Sequence, residues 1–242
     1  MHMTDFQLSH LIYADDLLVF GRADSLNCTR LMRTLNMFSN FSGLQLNLQK
    51  SSLIISPYVS CPNDISMALQ IFNPSPKITY LGIPISLGRI KISDFDPLLE
   101  KVTSLLSGWR ARLLSFDGRL QYIKYTITNT VAYWIRCSII PKSICKAIGK
   151  LCSKFLYHGA LDSRRLQLIS WYNTCKPHSF GGLGIASLQG LHFAYNCSII
   201  MRCYNMPSPL SKWLLARYYS PWKPPQANDT AFWKSICNST DG

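Results

Sequence analysis

Two carboxylates stand side by side at Asp15-Asp16, between the apolar runs Leu11-Ile12-Tyr13 and Leu17-Leu18-Val19-Phe20. Adjacent carboxylates repel each other and persist cheaply only where water or cations neutralise them. Oxygen ligands of this kind select Mg2+ or Mn2+. A pair of such ions clamps the attacking and leaving oxygens in phosphoryl transfer. The same dipeptide also suits a plain solvated turn. A second group is cationic: Lys142, Lys146, Lys150 and Lys154 recur every fourth residue, one per helical turn over ~18 Å. Such a row can follow a phosphate backbone without reading sequence, with strong salt dependence, or can line a solvated helix face. Trp109, Tyr122, Tyr125, Tyr133 and Trp134 lie in the same basic half of the chain, before this row, and their spacing suits base stacking or helix core. Cys175-Lys176-Pro177-His178 is a lone C-x-x-H with no second half and no CxxC pair occurs, so no zinc site is expected.

The elements that must position these groups follow from periodicity. Residues 8–20 read strand, turn, strand, which is a hairpin signal without the usual glycine. Ser25 can cap a helix carrying Leu31, Leu35 and Phe38, with Gly43 as its stop. Leu44, Leu46 and Leu48 alternate with Gln45, Asn47 and Gln49, which predicts a strand; Lys50 follows at a turn and Leu53-Ile54-Ile55 reads as another strand. Four prolines over residues 57–76 predict a loop with at most one short helix. Thr79-Tyr80-Leu81-Gly82-Ile83-Pro84-Ile85 suggests an edge hairpin. Asp96-Pro97 opens a helix with Leu98, Val102, Leu105 and Trp109 on one stripe. A second helix carries Leu120, Ile123, Ile127, Val131 and Trp134. Pro141 opens a third, with Ile144, Ile148, Leu151 and Phe155 opposite the lysine row. The last part is rich in Trp, Tyr and Pro and less regular, and no internal repeat is seen.

The 242 residues suffice for one large domain or two small ones. Hydrophobic residues make up 48%, which excludes a disordered tail, and charged residues only 15%, which predicts poor solubility or a partner covering part of the surface. Lys and Arg number 25 against 12 acids, a net charge of +13. Residues 1–104 balance eight acids with eight bases, whereas residues 105–242 hold seventeen bases and four acids. A nucleic acid or an acidic membrane surface is the natural partner of such a field, and a generally basic surface without one is the alternative. Nine cysteines is an odd number, and the start at Met1-His2-Met3 lacks the parts of a signal peptide. Reduced, mostly buried cysteines in an intracellular, non-secreted protein are therefore expected. The longest uncharged stretch, Pro177–Met201, is broken by glycines, histidines and Asn196, so no membrane span is expected.

Leu11-Ile12-Tyr13-Ala14-Asp15-Asp16-Leu17-Leu18-Val19-Phe20 resembles the metal-binding palm hairpin of reverse transcriptases, specifically those of LINE-type non-LTR retrotransposons abundant in plants. The resemblance continues in order. Ser42-Gly43-Leu44-Gln45-Leu46-Asn47-Leu48-Gln49-Lys50-Ser51 looks like the next motif of that family, Tyr80-Leu81-Gly82-Ile83-Pro84-Ile85 like its primer-grip hairpin, and Gly108-Trp109 through Gly118-Arg119-Leu120 like the opening of its thumb. Phe155-Leu156-Tyr157-His158-Gly159 and Gly181-Gly182-Leu183-Gly184-Ile185 resemble later signatures, with Tyr157 where Trp is expected.

This resemblance implies an α+β fold: a truncated polymerase palm of antiparallel hairpins plus a helix, then a mainly α-helical thumb. It implies a palm remnant over residues 1–56, a connecting loop and primer-grip-like hairpin over 57–92, a basic thumb-like region over 93–176 and a post-thumb segment over 177–242. It implies RNA-directed DNA synthesis with Mg2+, an RNA template and DNA primer or RNA–DNA hybrid as partners, and a nuclear location. Asp15 and Asp16 would be the catalytic metal ligands, Lys50 would lie near the leaving pyrophosphate, and Tyr80, Leu81 and Gly82 would hold the primer end. Lys50 can equally be a surface lysine, and Tyr80–Gly82 an ordinary hairpin.

The family's upstream aspartate and its fingers are missing. Asp5 is the only acid before Asp15, and Thr4-Asp5-Phe6-Gln7 does not match. A fragment inactive by itself is therefore expected, with an open sheet edge. The alternative from another class is a non-catalytic nucleic-acid-binding protein using the basic helical half. A third reading, an interaction module with a protein partner, fits the sparse charge but has no motif behind it.

Overall fold

The computed structural model describes residues 8–108, 113–162 and 168–240. The chain divides into two compact units, Asp5–Ile90 and Lys91–Gly242.

In the first unit, β1 (His10–Tyr13) and β2 (Asp16–Val19) pair antiparallel with Tyr13 opposite Asp16, so Ala14 and Asp15 make the turn. Ala14 sits at φ 52°, a left-handed conformation that turn chemistry usually gives to Gly or Asn. Helix α1 (Ser25–Ser42) starts one residue earlier than the sequence suggests. Asp24, not Ser25, is the cap, its Oδ1 accepting from the Asn27 amide at 2.8 Å. Helix α2 (Pro62–Leu69) packs on α1 around Cys28, Ile65 and Leu69, with Leu31, Leu53 and Ile55 against them. Strands β3 (Lys77–Tyr80) and β4 (Ile83–Ser86) form the second hairpin, and its loop residues Leu81 and Gly82 both have positive φ, the signature of a tight primed turn.

Two expected strands are not there. Leu44–Leu48 alternates correctly but is irregular, with Leu44 and Leu46 exposed and Lys50 in a turn closed onto Asn47. Leu53-Ile54-Ile55 contributes side chains to the α1–α2 core without joining a sheet. Alternation makes a strand only where a partner completes the ladder, and among the described residues each sheet stops at two strands. The mixed α and β content is as expected, but nothing in this architecture shows a polymerase palm.

The second unit is helical. A 3-10 turn at Ile92–Phe95 leads into α3 (Asp96–Ser107), whose Leu98, Val102 and Leu106 are fully buried. Helix α4 (Phe116–Tyr122) starts at Ser115, which accepts from the Gly118 amide. It continues through a π turn (Ile123–Ile127) into α5 (Thr128–Cys137), and Thr128 Oγ1 donates to the Ile123 carbonyl across the widened turn. Helix α6 (Lys142–His158) packs on α3 and α4 and ends at Gly159, φ 69°. Phe95, Ile123, Ile127, Val131, Ile148, Phe155 and Leu156 complete the core. The one-turn α7 (Trp171–Thr174) and a 3-10 turn (His178–Phe180) follow. Gly182 lies so near the Lys176 carbonyl that a Cβ would stand 2.0 Å from its oxygen, so glycine is required by the close approach of two backbones.

The unit closes with α8 (Leu188–Asn205), α9 (Pro209–Tyr218) and α10 (Ala231–Cys237), which bury Leu214, Trp233, Ile236 and Cys237. Asn196 of α8 is buried, with Nδ2 3.0 Å from both the carbonyl and the hydroxyl of Ser235 and 2.9 Å from Ser239 Oγ. Among the described residues no helix is long and apolar enough to cross a membrane.

Candidate nucleic-acid interface

The acidic pair stands where two residues can turn the chain. Asp15 is in the β1–β2 turn and Asp16 opens β2, both exposed. The pattern of flanking apolar runs builds the hairpin, but its apolar side chains stay in contact with solvent, Ile12 at 66% and Tyr13 at 63% exposure. Among the described residues no group of three or more His, Cys, Asp or Glu is placed to hold a metal ion. The turn thus offers two carboxylates, which suits a cation that keeps most of its water. Asp5 and Thr4-Asp5-Phe6-Gln7 lie outside the described residues.

The structure brings Asp15 and Asp16 together and leaves the other candidates of this unit on separate elements. Lys50 is exposed, its amide donating to the Asn47 carbonyl at 3.2 Å and to Asn47 Oδ1 at 3.1 Å. Tyr80, Leu81 and Gly82 belong to the β3–β4 hairpin, a different sheet from that of Asp15.

The cationic row is built by α6. Ile144, Ile148, Cys152 and Phe155 turn one face of this helix into the core. Lys142, Lys146 and Lys150 are exposed. Lys154 is half-buried and its Nζ donates to the Leu161 carbonyl at 3.2 Å, so it serves partly as a clasp on the next loop. Like charges four residues apart on a helix destabilise it by about 0.2–0.5 kcal/mol per pair. Cations in the first turn, here Lys142, also oppose the helix dipole. The row is therefore unfavourable for the isolated helix and favourable beside a polyanion.

The aromatics that precede the row divide between core and surface. Trp134 is buried 5.9 Å from Phe95, and Tyr122 is half-buried, its hydroxyl donating to the Leu105 carbonyl. Tyr125 and Tyr133 are exposed, and Trp109 lies outside the described residues. Sequence reasoning missed Arg136, whose guanidinium stands 4.9 Å from the Tyr195 ring centre, holding a cation at the surface near α8. No short-range spacing announces a pair 59 positions apart in sequence.

Cys152 and Cys175 are held as thiols by burial. Burial pushes Cys152 up to about 12, with neighbouring Cys175 adding to it, and burial alone pushes Cys175 up to about 11.

The chain matches no known protein-family profile. It is similar to a protein of Arabidopsis thaliana named "putative ribonuclease H protein", 27% identical over 161 residues, which make up 64% of this chain and 26% of the relative. The chain therefore spans about a quarter of that relative's length. This match overturns the reverse-transcriptase expectation. The relative is named for ribonuclease H, and neither the match nor the two separate hairpins points to an RNA-directed DNA polymerase, a nucleotidyltransferase or a LINE-type transposable element.

Proposed function

We propose that this chain is a nucleic-acid-binding module whose helical second unit follows a phosphate backbone. The observation that carries the reading is the exposed row Lys142, Lys146 and Lys150, set on a helix whose opposite face is locked into the core. The charge distribution supports it: residues 91–242 hold nineteen bases and seven acids, residues 5–90 six bases and five acids. The thirteen residues of helix from Lys142 to Lys154 span ~18 Å, about the reach of five phosphates along one strand. RNA, DNA and RNA–DNA hybrids all present such a backbone, and phosphate contacts do not distinguish base sequence.

Fluorescence anisotropy of the full chain with a labelled RNA–DNA hybrid over a salt series tests this. Binding should weaken steeply with salt, and replacing Lys142, Lys146 and Lys150 by Gln should lower the slope of log K against log salt by about 2–3. A slope unchanged in the triple variant would refute the assignment to α6.

The name of the Arabidopsis relative favours a second reading, a ribonuclease-type reaction. Mg2+ would be its metal, and Asp15 and Asp16 are the adjacent carboxylates the chain could bring to it. Incubation of labelled RNA with the chain and Mg2+ tests it. Cleavage lost in Asp15→Asn would support this reading, and no cleavage at any Mg2+ concentration would reject it for this chain.

A further inference from the structure

The segment after α9 carries an arrangement that neither the lysine row nor the acidic hairpin uses. Tyr219 caps α9 with φ 65° and ψ −58°, and the Ser220 amide donates to the Tyr218 carbonyl at 2.8 Å. These angles and this bond make a γ-turn of the rare, strained kind, centred on a tyrosine rather than a glycine. The strain is held from both sides. Behind the turn, Pro221 is buried and its carbonyl accepts from Thr240 Oγ1 at 3.2 Å, tying the turn to the end of α10. Tyr218 stacks flat on buried Trp233, ring centres 4.4 Å apart and 10° from parallel.

What this anchored turn presents is aromatic. Tyr219 is 56% exposed and Trp222 61% exposed, three residues apart. Tyr204 of α8, 50% exposed, lies against Trp222 with ring centres 5.2 Å apart. Lys223 Nζ stands 5.9 Å from the Tyr219 ring centre. Residues 188–240 hold five bases, Arg202, Lys212, Arg217, Lys223 and Lys234, and one acid, Asp229. Large rings left in water cost solvation, and a γ-turn at tyrosine costs backbone strain; both persist where rings must stand at a fixed place. Rings on an anchored support, with Lys223 over one of them and five bases to one acid along residues 188–240, are complementary to unstacked bases on a phosphate strand.

We infer that Tyr204, Tyr219, Trp222 and Lys223 form a stacking platform for a single-stranded nucleic acid. The inference deepens the nucleic-acid reading and rests on it, adding a strand form that α6 cannot select. Duplex bases are stacked on each other and offer these rings no free face, whereas phosphates are equally available in both forms.

The test compares a labelled twelve-nucleotide single strand with its duplex, both bound to the full chain at one salt concentration. Trp222→Ala and Tyr204→Ala should each weaken single-strand binding by about five- to a hundredfold and leave duplex binding within about twofold, while Trp222→Phe should retain most of the single-strand affinity. Tyr219→Gly relieves the backbone and removes the ring, so a purely structural tyrosine predicts unchanged binding and a stacking tyrosine predicts loss. Near-ultraviolet circular dichroism establishes that each variant is folded. Folded variants that bind the single strand like the parent would overturn the platform, and the lysine-row reading would stand if the Lys142, Lys146 and Lys150 variant still lost duplex binding. Failure of the parent to bind either probe would overturn both. Sedimentation showing a dimer that Trp222→Ala converts to a monomer, without loss of single-strand binding, would assign the patch to a second copy of the chain instead.

Discussion

The β1–β2 hairpin of the first unit and the helical core of the second use apolar residues in opposite ways. In the second, Phe95, Leu98, Val102, Leu106, Phe155 and Leu156 are at most 1% exposed. In the first, Leu11, Ile12, Tyr13, Leu17 and Val19 sit on a hairpin with every one of them exposed. Helices satisfy their backbone internally, so an apolar stripe needs only another helix to cover it. A two-stranded sheet satisfies half its backbone and is marginal until a third strand or a covering helix is added. Similar apolar letters therefore give a closed core among the helices and a solvent-exposed ribbon in the hairpin.

The largest effect that would break this contrast is in the core. Phe155→Ala is expected to destabilise the second unit by about 3–5 kcal/mol, whereas Ile12→Ser should change stability by less than about 0.5 kcal/mol. Denaturant unfolding of the full chain measures both, and equal losses would show that the hairpin is as integrated as the helices. Gly182→Ala forces a methyl onto the Lys176 carbonyl and is expected to cost about 1–3 kcal/mol.

The buried thiols sharpen the contrast by reactivity. Exposed Cys61 of the first unit should alkylate well before Cys152 of the second, with mass spectrometry reading the order. Because Cys152 and Cys175 are raised from 9.0 to about 12 and about 11, the folded chain keeps protons that the unfolded chain releases. Their contribution is complete below pH 9 and is lost progressively as pH rises above it, so melting temperature should fall there. The smallest expected effect is a gain: Leu81→Gly at φ 51° should stabilise the β3–β4 turn by about 0.5–1 kcal/mol, visible in hairpin amide exchange.

The elements legible in the sequence were those with local signals. Pro97 inside the first turn of one helix, Pro141 before another and Gly43 after a third mark the ends that the chain adopts. The lysine row was legible because a period of four has one meaning on a helix. The Leu44–Leu48 strand was not, since alternation states which face is apolar and not whether a partner exists. The family assignment failed for a related reason. Short signatures fix local turns such as the Asp15-Asp16 hairpin, but a palm is a sheet, and the strands that would complete one are a property of the whole architecture. The stacking turn escaped notice because prolines and aromatics in an irregular segment carry no period at all.

Asn196 has a consequence for alignment. Two helices joined only by aliphatic contacts have neighbouring solutions about one turn, ~5.4 Å, apart. A buried amide that must meet both Ser235 and Ser239 admits one of them and leaves the others with an unpaired polar group. Asn196 thus acts as an indexing pin between α8 and α10. Tyr204 rides on α8 two turns further along, and the Pro221 turn is fastened to the end of α10, so a single amide sets the phase at which the Tyr204 and Trp222 rings meet.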